Sequence, residues 1–328
     1  MKWKGKSVLV TGAGGFIGSH LVERLLGEGA NVTALVHYNS RNDWGMLEDI
    51  SHEGKSPEVI AGDVTDARAV RCCTEGKDVV FHLAALIGIP YSYRAPESYV
   101  ATNIRGTLNV MQAALDAGVS RVVHTSTSEV YGTARYTPID EEHPLQGQSP
   151  YSASKIGADK IAESFFCSFD LPVTTLRPFN TFGPRQSTRA IIPTIITQAL
   201  TSDTVRLGSL DPVRDLTYVA DTVSAFIRIA GSPAAIGETV NAGSGKGVTI
   251  GELARMILNA VNPDATIATD DARVRPGKSE VMTLICNNEK AGNLIGWKPS
   301  YTLEEGIALT ITWMKEHLAR YKPGLYTV

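Results

Sequence analysis

A tyrosine and a lysine stand four positions apart in the run Tyr151-Ser152-Ala153-Ser154-Lys155. In a helix this spacing places both side chains on one face. A nearby ammonium stabilises a phenolate and lowers the pKa of the tyrosine, which can then act as a base near neutral pH. We therefore predict that Tyr151 and Lys155 form a catalytic pair. The spacing alone is common on amphipathic helices, so the surrounding elements must support it.

A second polar group lies at the end of a predicted strand, residues 121–126. Three side chains that follow this strand, Thr127, Ser128 and Glu129, offer two hydroxyl groups and one carboxylate. Ligands of open α/β sheets bind at the carboxyl ends of the strands. We predict that this polar group belongs to a binding or catalytic site.

A glycine-rich turn follows the first predicted strand and opens the first predicted helix. Its three glycines allow a sharp turn and a close approach to a pyrophosphate, which the helix N-terminus attracts. The residues predicted to bind a dinucleotide cofactor here are Gly12, Gly15, Phe16, Ile17 and Gly18.

The end of the second predicted strand lacks the acidic residue that usually binds the adenosine ribose. His37 takes that position, followed by Ser40 and Arg41. Without a carboxylate a 2′-phosphate is not repelled, and these three side chains could bind it. We expect NAD or NADP as cofactor, with NADP favoured; the alternative is that the three residues are solvated and NAD binds.

Two further strand ends complete the predicted cofactor site. Asp63, with Val64, follows the third strand, where it could contact adenine or instead cap the helix that follows. The residues after the fourth strand are Leu83, Ala84 and Ala85, and we assign them to the cofactor site as well, together with Tyr151 and Lys155.

These motifs lie on alternating strands and helices. The predicted strands are 7–10, 31–36, 57–61, 79–83, 121–126 and 173–177, and the predicted helices are 17–29, 67–75, 99–117 and 151–170. Such alternation predicts an α/β fold, a Rossmann-like doubly wound parallel sheet. After residue 177 frequent prolines indicate a smaller C-terminal lobe. We predict a cofactor domain of residues 1–178 and 214–240, and a substrate lobe of residues 179–213 and 241–328.

Composition narrows the class of protein. The 328 residues carry 31 Lys+Arg against 34 Asp+Glu, a formal charge of −3, and 43% are hydrophobic. This balance excludes a broadly basic nucleic-acid binder and gives no attraction to anionic lipid. The four cysteines form no CxxC pair or zinc-like spacing, so no metal site is expected. No apolar run is long enough to cross a bilayer, and we expect a cytoplasmic protein.

The order of these motifs resembles the extended short-chain dehydrogenase/reductase family, also called the NAD-dependent epimerase/dehydratase family. The resemblance rests on TGxxGxxG from Thr11, the strand end with Thr127, YxxxK from Tyr151, and Arg177-Pro178-Phe179-Asn180. It runs in order over essentially the whole chain.

The run Thr127-Ser128-Glu129 looks like the Thr-Asp-Glu or Thr-Ser-Glu of nucleotide-sugar 4,6-dehydratases, and UDP-glucuronate decarboxylases also carry Thr-Ser-Glu. Residues 37–44, 90–93 and 189–198 are similar to the legionaminic-acid-pathway dehydratases that act on nucleotide-linked N-acetylglucosamine, here with UDP or GDP as the nucleotide.

The resemblance implies a redox cycle on the sugar. Tyr151 would take the proton of the 4-hydroxyl while hydride passes from C4 to NAD(P)+, and Thr127 would hydrogen-bond the 4-oxygen. Glu129 would remove the C5 proton, water would leave from C6, and hydride would return to C6 to give a 4-keto-6-deoxy sugar. The cofactor is therefore expected to stay tightly bound and to be recycled.

One position departs from the dehydratase pattern. Many 4,6-dehydratases protonate the leaving hydroxyl with an aspartic acid where this chain has Ser128, so Glu129 or a water on Ser128 would have to do so. Alternative functions are a UDP-glucuronate decarboxylase, which needs no such acid, a nucleotide-sugar epimerase, and an NADP-binding regulatory protein without activity. Against the decarboxylase, the family's Arg-Lys-Pro is replaced here by Arg275-Pro276-Gly277.

The resemblance also implies residues for the nucleotide diphosphate and a partner. Arginine suits phosphate because its planar fork binds two oxygens; the candidates are Asn180, Arg185, Arg214 and Arg275. For Arg214 a local ion pair with Asp215 is an equal alternative. The family pairs the helices predicted at 99–117 and 151–170 in a four-helix bundle, so a homodimer is expected.

Overall fold

The computed structural model describes residues 1–48, 50 and 54–323 of the chain. Its strands, in chain order, are β1 Ser7–Thr11, β2 Asn31–His37, β3 Glu58–Gly62, β4 Val79–His82, β5 Arg121–Thr125, β6 Val173–Pro178, β7 Asn180–Phe182, β8 Thr204–Leu207, β9 Val213–Tyr218, β10 Thr239–Ala242, β11 Gly247–Thr249, β12 Thr266–Thr269 and β13 Thr283–Leu284. Its α-helices are α1 Phe16–Gly27, α2 Ala67–Thr74, α3 Ile89–Ser92, α4 Pro96–Tyr99, α5 Gly106–Asp116, α6 Pro150–Phe169, α7 Ile191–Thr201, α8 Val219–Gly231, α9 Ile250–Val261, α10 Glu289–Ile295 and α11 Leu303–Glu316. Within this described part, no helix has the length and apolar character needed to cross a bilayer.

Seven parallel strands form the main sheet in the order β10-β6-β5-β4-β1-β2-β3. β1 pairs with β2 on one side and with β4 on the other. The first three strands therefore extend the sheet to one side of β1, and β4 starts the other side, which makes the gap between β1 and β4 the topological switch point. Helices cover both faces of this sheet. The predicted Rossmann-like doubly wound fold is confirmed.

Alternation along the strands explains the two layers of helices. In β1, Val8 and Val10 face one apolar core with α1 and α8, while Leu9 faces the other core with α2, α5 and α6. All three side chains are fully buried. A parallel sheet covered on both faces needs such continuous apolar strands.

A smaller sheet lies in the C-terminal part of the chain. β9 pairs with β7 and β13 in parallel and with β11 antiparallel, and β8 pairs separately with β12. Residues 214–218, assigned from the sequence to the cofactor domain, therefore continue the small sheet. Residues 241–242, assigned to the lobe, belong to the main sheet because β10 pairs with β6.

The helix predicted at 99–117 is not one uniform α-helix. α4 is joined to α5 by a π-helical turn, Val100–Arg105. Such turns are rare inside helices and often occur at functional sites. This one carries Asn103, a fully buried residue that hydrogen-bonds to the catalytic region described below.

Candidate active site

The site lies at the carboxyl edge of the main sheet, where β1 and β4 separate. Gly12 has a positive φ of 69°, and a Cβ there would lie 2.7 Å from the backbone nitrogen of Ala84. The side chain of Thr11 accepts hydrogen bonds from the backbone nitrogens of Leu83 and Ala84, at 3.2 and 3.1 Å. Glycine at position 12 thus lets the segment after β4 cross the turn after β1.

Helix α1 begins directly after this turn. Its first cap position is Gly15, which is exposed and offers no side chain to the first-turn N–H groups. A helix start without a capping side chain leaves N–H donors and a positive dipole end for an anion. A Cβ on Gly18 would collide with the carbonyl oxygen of Gly12. The turn therefore fits the pyrophosphate of a dinucleotide, with Phe16 and Ile17 beside it in the first turn.

At the adenosine end, two predicted residues contact each other. Nε2 of His37, at the end of β2, lies 3.3 Å from Oδ2 of Asp63, which follows β3. Burial would raise the pKa of Asp63, but hydrogen bonds from Thr65 and the nearby imidazole lower it below its ordinary value. Asp63 is not the cap of α2, because Asp66 accepts the first-turn hydrogen bonds of that helix.

The remaining predicted residues of this end differ in exposure. Ser40 and Arg41 are exposed and lie in a loop that Asn39 organises through hydrogen bonds to Arg41 and Asp43. Val64 is buried.

Helix α6 holds the predicted catalytic pair. Ser149 caps it in a reciprocal arrangement with Ser152, and Pro150 occupies its first position, which favours a helix start here. Tyr151 therefore lies in the first turn, where Thr127 and the carboxylate of Glu129 both act on the pKa of its hydroxyl. The structure brings Thr127, Glu129 and Tyr151 together. Ser128 is buried beside them, in the short 3-10 helix Ser128–Tyr131.

The electrostatics of the pair differ from the expectation. Burial raises the pKa of Tyr151 well above its ordinary value, and the charge of Glu129 adds to this. The prediction that the pKa of Tyr151 is lowered is therefore wrong, because burial dominates. Lys155 donates a 2.6 Å hydrogen bond to the carbonyl oxygen of Thr125, and burial lowers the pKa of Lys155 to about 8.

A buried carboxylate that the sequence analysis missed lies one turn further along α6. Asp159 accepts hydrogen bonds from Ser126 at 2.7 Å and from two nitrogens of Arg177 at 3.1 and 3.2 Å. His124 lies 3.0 Å from its other oxygen. Asp159 continues the spacing of Tyr151 and Lys155 by four residues, which was the available signal. It anchors the catalytic face of α6 to β5 and β6.

Buried polar side chains also connect α6 to the glycine turn. Ser154 accepts a hydrogen bond from Asn103, whose carbonyl oxygen accepts one from Thr107. Thr107 lies 3.0 Å from Nε2 of His82, and Nδ1 of His82 lies 2.8 Å from the hydroxyl of Thr11. Both histidines of the strand ends, His82 and His124, are thus fixed by hydrogen bonds within the protein.

An aromatic side chain covers the tyrosine. The rings of Tyr99 and Tyr151 meet edge to face with centroids 6.2 Å apart, and Tyr91 lies at the same distance on the other side of Tyr99. Tyr99 is buried, whereas Tyr91 is 39% exposed. The sequence analysis gave no role to these two tyrosines.

The arginines predicted to bind the diphosphate form a cluster with an acid. Nη2 of Arg214 lies 3.2 Å from Oε1 of Glu280, and Nη1 of Arg275 lies 3.6 Å from the same oxygen. Arg214 also interacts with Glu129, so the cluster adjoins the catalytic group. The alternative pairing of Arg214 with Asp215 is wrong, because the Asp215 carboxylate accepts hydrogen bonds from Ser244, Gly245 and Cys286 instead.

The other two predicted substrate residues differ from each other. The side-chain oxygen of Asn180 is buried and has no hydrogen-bond partner among the described residues, so it can accept a bond from a ligand. Arg185 lies against α1, where Nη2 is 2.9 Å from Glu23. Arg185 was predicted to bind the substrate diphosphate. The structure instead pairs its side chain with the first helix and does not bring it to Arg214 and Arg275. Among the described residues, no group of three or more His, Cys, Asp and Glu could hold a metal ion.

A Rossmann-like sheet, a glycine turn at its switch point and a Tyr-Lys pair define an NAD(P)-binding enzyme of the short-chain dehydrogenase/reductase class. A family model described as GDP-mannose 4,6 dehydratase matches residues 9–310. The chain belongs to this family of NAD-dependent nucleotide-sugar dehydratases and epimerases.

Curated relatives and solved structures agree with this placement. The chain is 35% identical to a UDP-glucose 4-epimerase of Mycolicibacterium smegmatis, over 94% of this chain and 98% of that protein. It is 33% identical to a dTDP-glucose 4,6-dehydratase of Streptomyces antibioticus, over 97% and 95%. The structure of DesIV, a dTDP-glucose 4,6-dehydratase from Streptomyces venezuelae with NAD bound, matches with a TM-score of 0.87 at 29% identity, covering 96% of this chain and 99% of that one.

Proposed function

We propose that the protein is a nucleotide-sugar 4,6-dehydratase that converts UDP- or GDP-linked N-acetylglucosamine to the 4-keto-6-deoxy sugar, as in legionaminic acid formation. The observation that carries this proposal is that Thr127 and the carboxylate of Glu129 both act on the hydroxyl of Tyr151. Removal and return of a C4 hydride requires one base at O4. A second proton acceptor next to it supports removal of the C5 proton as well.

The three residues have separate roles in this proposal. Tyr151 takes the proton of the 4-hydroxyl, and Thr127, which interacts with the tyrosine hydroxyl, holds the 4-oxygen. Lys155 places a positive charge beneath them, held by Thr125. When bound, NAD or NADP supplies hydride removal at C4 and its return at C6. Glu129 takes the C5 proton, which the adjacent 4-ketone makes acidic.

Loss of water from C6 also needs a proton. Ser128 is a far weaker acid than a carboxylic acid, and it is buried. Glu129 becomes a carboxylic acid once it has taken the C5 proton. We infer that Glu129 delivers this proton to the leaving 6-hydroxyl, which departs as water, and serves as base and acid in turn. On return of hydride to C6, C5 takes a proton that derives from solvent, and this proton is the deuterium expected at C5 in D2O.

For the cofactor, we propose tightly bound NAD or NADP with NADP favoured. Arg41 supplies positive charge near the end of β2 and His37 offers a hydrogen-bonding imidazole, which supports binding of a 2′-phosphate. Asp63 opposes it, because its carboxylate lies 3.3 Å from His37. Titration of the cofactor-free protein with both dinucleotides tests the preference, and stronger binding of NAD would contradict it.

A nucleotide-sugar epimerase is the second candidate function. It is favoured by the similarity to the UDP-glucose 4-epimerase of Mycolicibacterium smegmatis. An epimerase needs Tyr151 and Thr127 but has no use for a base at C5, so Glu129 separates the two functions.

A UDP-glucuronate decarboxylase gains some support from Ser128, since that reaction needs no acid for a leaving group.

Proton NMR in D2O with UDP-GlcNAc, GDP-GlcNAc, UDP-glucose and UDP-glucuronate distinguishes these functions. A new C6 methyl signal with deuterium at C5 is expected for one of the GlcNAc substrates. Inversion at C4 without a methyl signal would replace dehydratase by epimerase, and CO2 release from UDP-glucuronate would replace it by decarboxylase. A regulatory protein would bind cofactor and convert none of the four. Tyr151→Phe is the inactive control.

We also propose a homodimer through the adjacent helices α5 and α6. Apolar side chains on their outer surfaces support this: Leu108 is 41% exposed and Phe169 is 54% exposed. Light scattering is expected to give the mass of two chains. A monomeric mass would contradict the proposal.

A further inference from the structure

A carboxylate occupies the position between the two arginines that the proposed function assigns to the substrate diphosphate. Oε1 of Glu280 accepts a 3.2 Å hydrogen bond from Arg214 and lies 3.6 Å from Nη1 of Arg275. The Arg214 and Glu280 side chains are 8% and 16% exposed. A charge pair this far from solvent is only weakly screened.

The carboxylate satisfies the arginines only in part. Nη1 of Arg275 is buried and has no hydrogen-bond partner among the described residues. Arg214 uses one nitrogen for Glu280 and another for the carbonyl oxygen of Val213. Guanidinium groups bind phosphate through two parallel hydrogen bonds, so a diphosphate could satisfy donors that a single carboxylate oxygen leaves free.

The backbone that carries Glu280 is fixed on both sides. The hydroxyl of Ser279 lies 2.7 Å from the hydroxyl of Tyr93 and donates a 2.7 Å bond to the carbonyl oxygen of Gln148. The backbone nitrogen of Glu280 bonds to Pro276, and the next residue, Val281, is buried in an apolar cluster. A ligand that binds Arg214 and Arg275 must therefore displace the side chain of Glu280, while the backbone turn that carries Glu280 stays in place.

We propose that Glu280 is a resident counter-ion that competes with the nucleotide diphosphate for Arg214 and Arg275 and so sets the affinity for substrate. This inference rests on the proposed function, because it takes the two arginines as the diphosphate site. In the free protein Glu280 compensates the buried cation of Arg214 and the partly buried cation of Arg275. On binding, the diphosphate replaces it, and part of the binding free energy is spent in separating the carboxylate from the arginines.

Calorimetric titration of the purified protein with UDP and with GDP tests the competition. Glu280→Gln removes the charge and keeps the size, and it should bind the preferred diphosphate about tenfold more tightly, the effect expected for losing a charge-assisted competitor. Thermal unfolding of the ligand-free variant should occur at a lower temperature, because two arginines lose their counter-ion. The matched control is Glu304→Gln, an exposed change of the same charge in the lobe, which should leave the Kd unchanged.

The direction of the change separates competition from a merely structural role. If Glu280 only orients the arginines, Glu280→Gln will bind the diphosphate more weakly or equally well, and the proposal is wrong. Glu280→Asp decides the matter should the glutamine variant not fold: it withdraws the carboxylate by one methylene, and its Kd should fall below that of the wild type. An unchanged or higher Kd overturns the proposal while the proposed function stands. No binding of either diphosphate by the wild type would overturn both.

Discussion

The ammonium of Lys155 lies 2.6 Å from the carbonyl oxygen of Thr125, the last residue of β5. This bond holds the ammonium of the catalytic helix at the carboxyl end of β5, two residues before Thr127. Because burial lowers the pKa of Lys155 to about 8, the ammonium loses its proton as the pH rises through that value.

We therefore expect the kcat of the wild-type enzyme to fall above about pH 8, since the neutral amine of Lys155 no longer stabilises the phenolate of Tyr151. Lys155→Arg keeps a permanent charge. Its activity, normalised to its own maximum, should persist to higher pH. The measurement is the pH profile of kcat for both proteins, and an unchanged alkaline fall in the arginine variant would contradict the assignment.

Glu129→Gln should separate the two halves of the reaction. The amide cannot take the C5 proton, so formation of the methyl product should fall by about 10²-fold or more. Oxidation at C4 depends on Tyr151 and Thr127 and should continue, seen as reduced cofactor by absorbance. Product is followed by the C6 methyl signal in NMR. Methyl formation at the wild-type rate would remove Glu129 from the mechanism.

Asp159→Asn should destabilise the fold. It leaves Arg177 buried without its carboxylate, and breaking a buried ion pair from one side costs about 3–5 kcal/mol. Urea denaturation measures the free energy of unfolding. The control is Glu163→Gln on the same helix, whose exposed pair with Lys160 should contribute less than about 1 kcal/mol. Equal losses for the two variants would show that the Asp159 network does not stabilise the helix.

Asp63→Asn should shift cofactor preference towards NADP. The change removes a negative charge 3.3 Å from His37 and leaves the imidazole free for a 2′-phosphate. His37→Gln removes the imidazole and should shift the preference in the opposite direction. The ratio of the two dissociation constants, measured by titration, reports both effects. If the cofactor preference shifted in the same direction for both variants, the 2′-phosphate of NADP would not bind at His37.

The main sheet was predictable because its signals are local. Apolar strands such as β1 and β4 are short runs bounded by turn residues, and the glycines at 12, 15 and 18 mark one specific turn. The same holds for Tyr151 and Lys155, whose spacing places them on one face of α6. Local signals also predicted the position of Glu129 in the segment that follows β5.

The contacts that sequence reasoning missed join distant parts of the chain. Glu280 meets Arg214 from 66 positions away, and Arg185 finds Glu23 across 162 residues (185 − 23), so neither pairing has a local pattern. The position of β9 in the small sheet likewise depends on pairing with β7, β11 and β13. Asp159 was the exception, since its spacing from Lys155 was visible and only its buried partners were not.

The hydrogen-bonded path from Thr11 through His82, Thr107 and Asn103 to Ser154 spans the cofactor turn and the catalytic helix. Each link is buried, so none can exchange its partner for water without a local opening of the protein. The two regions should therefore open together, and their backbone amides should show matching protection in hydrogen exchange. Cofactor bound at the glycine turn would then also slow exchange of the amides around Asn103 and Thr107.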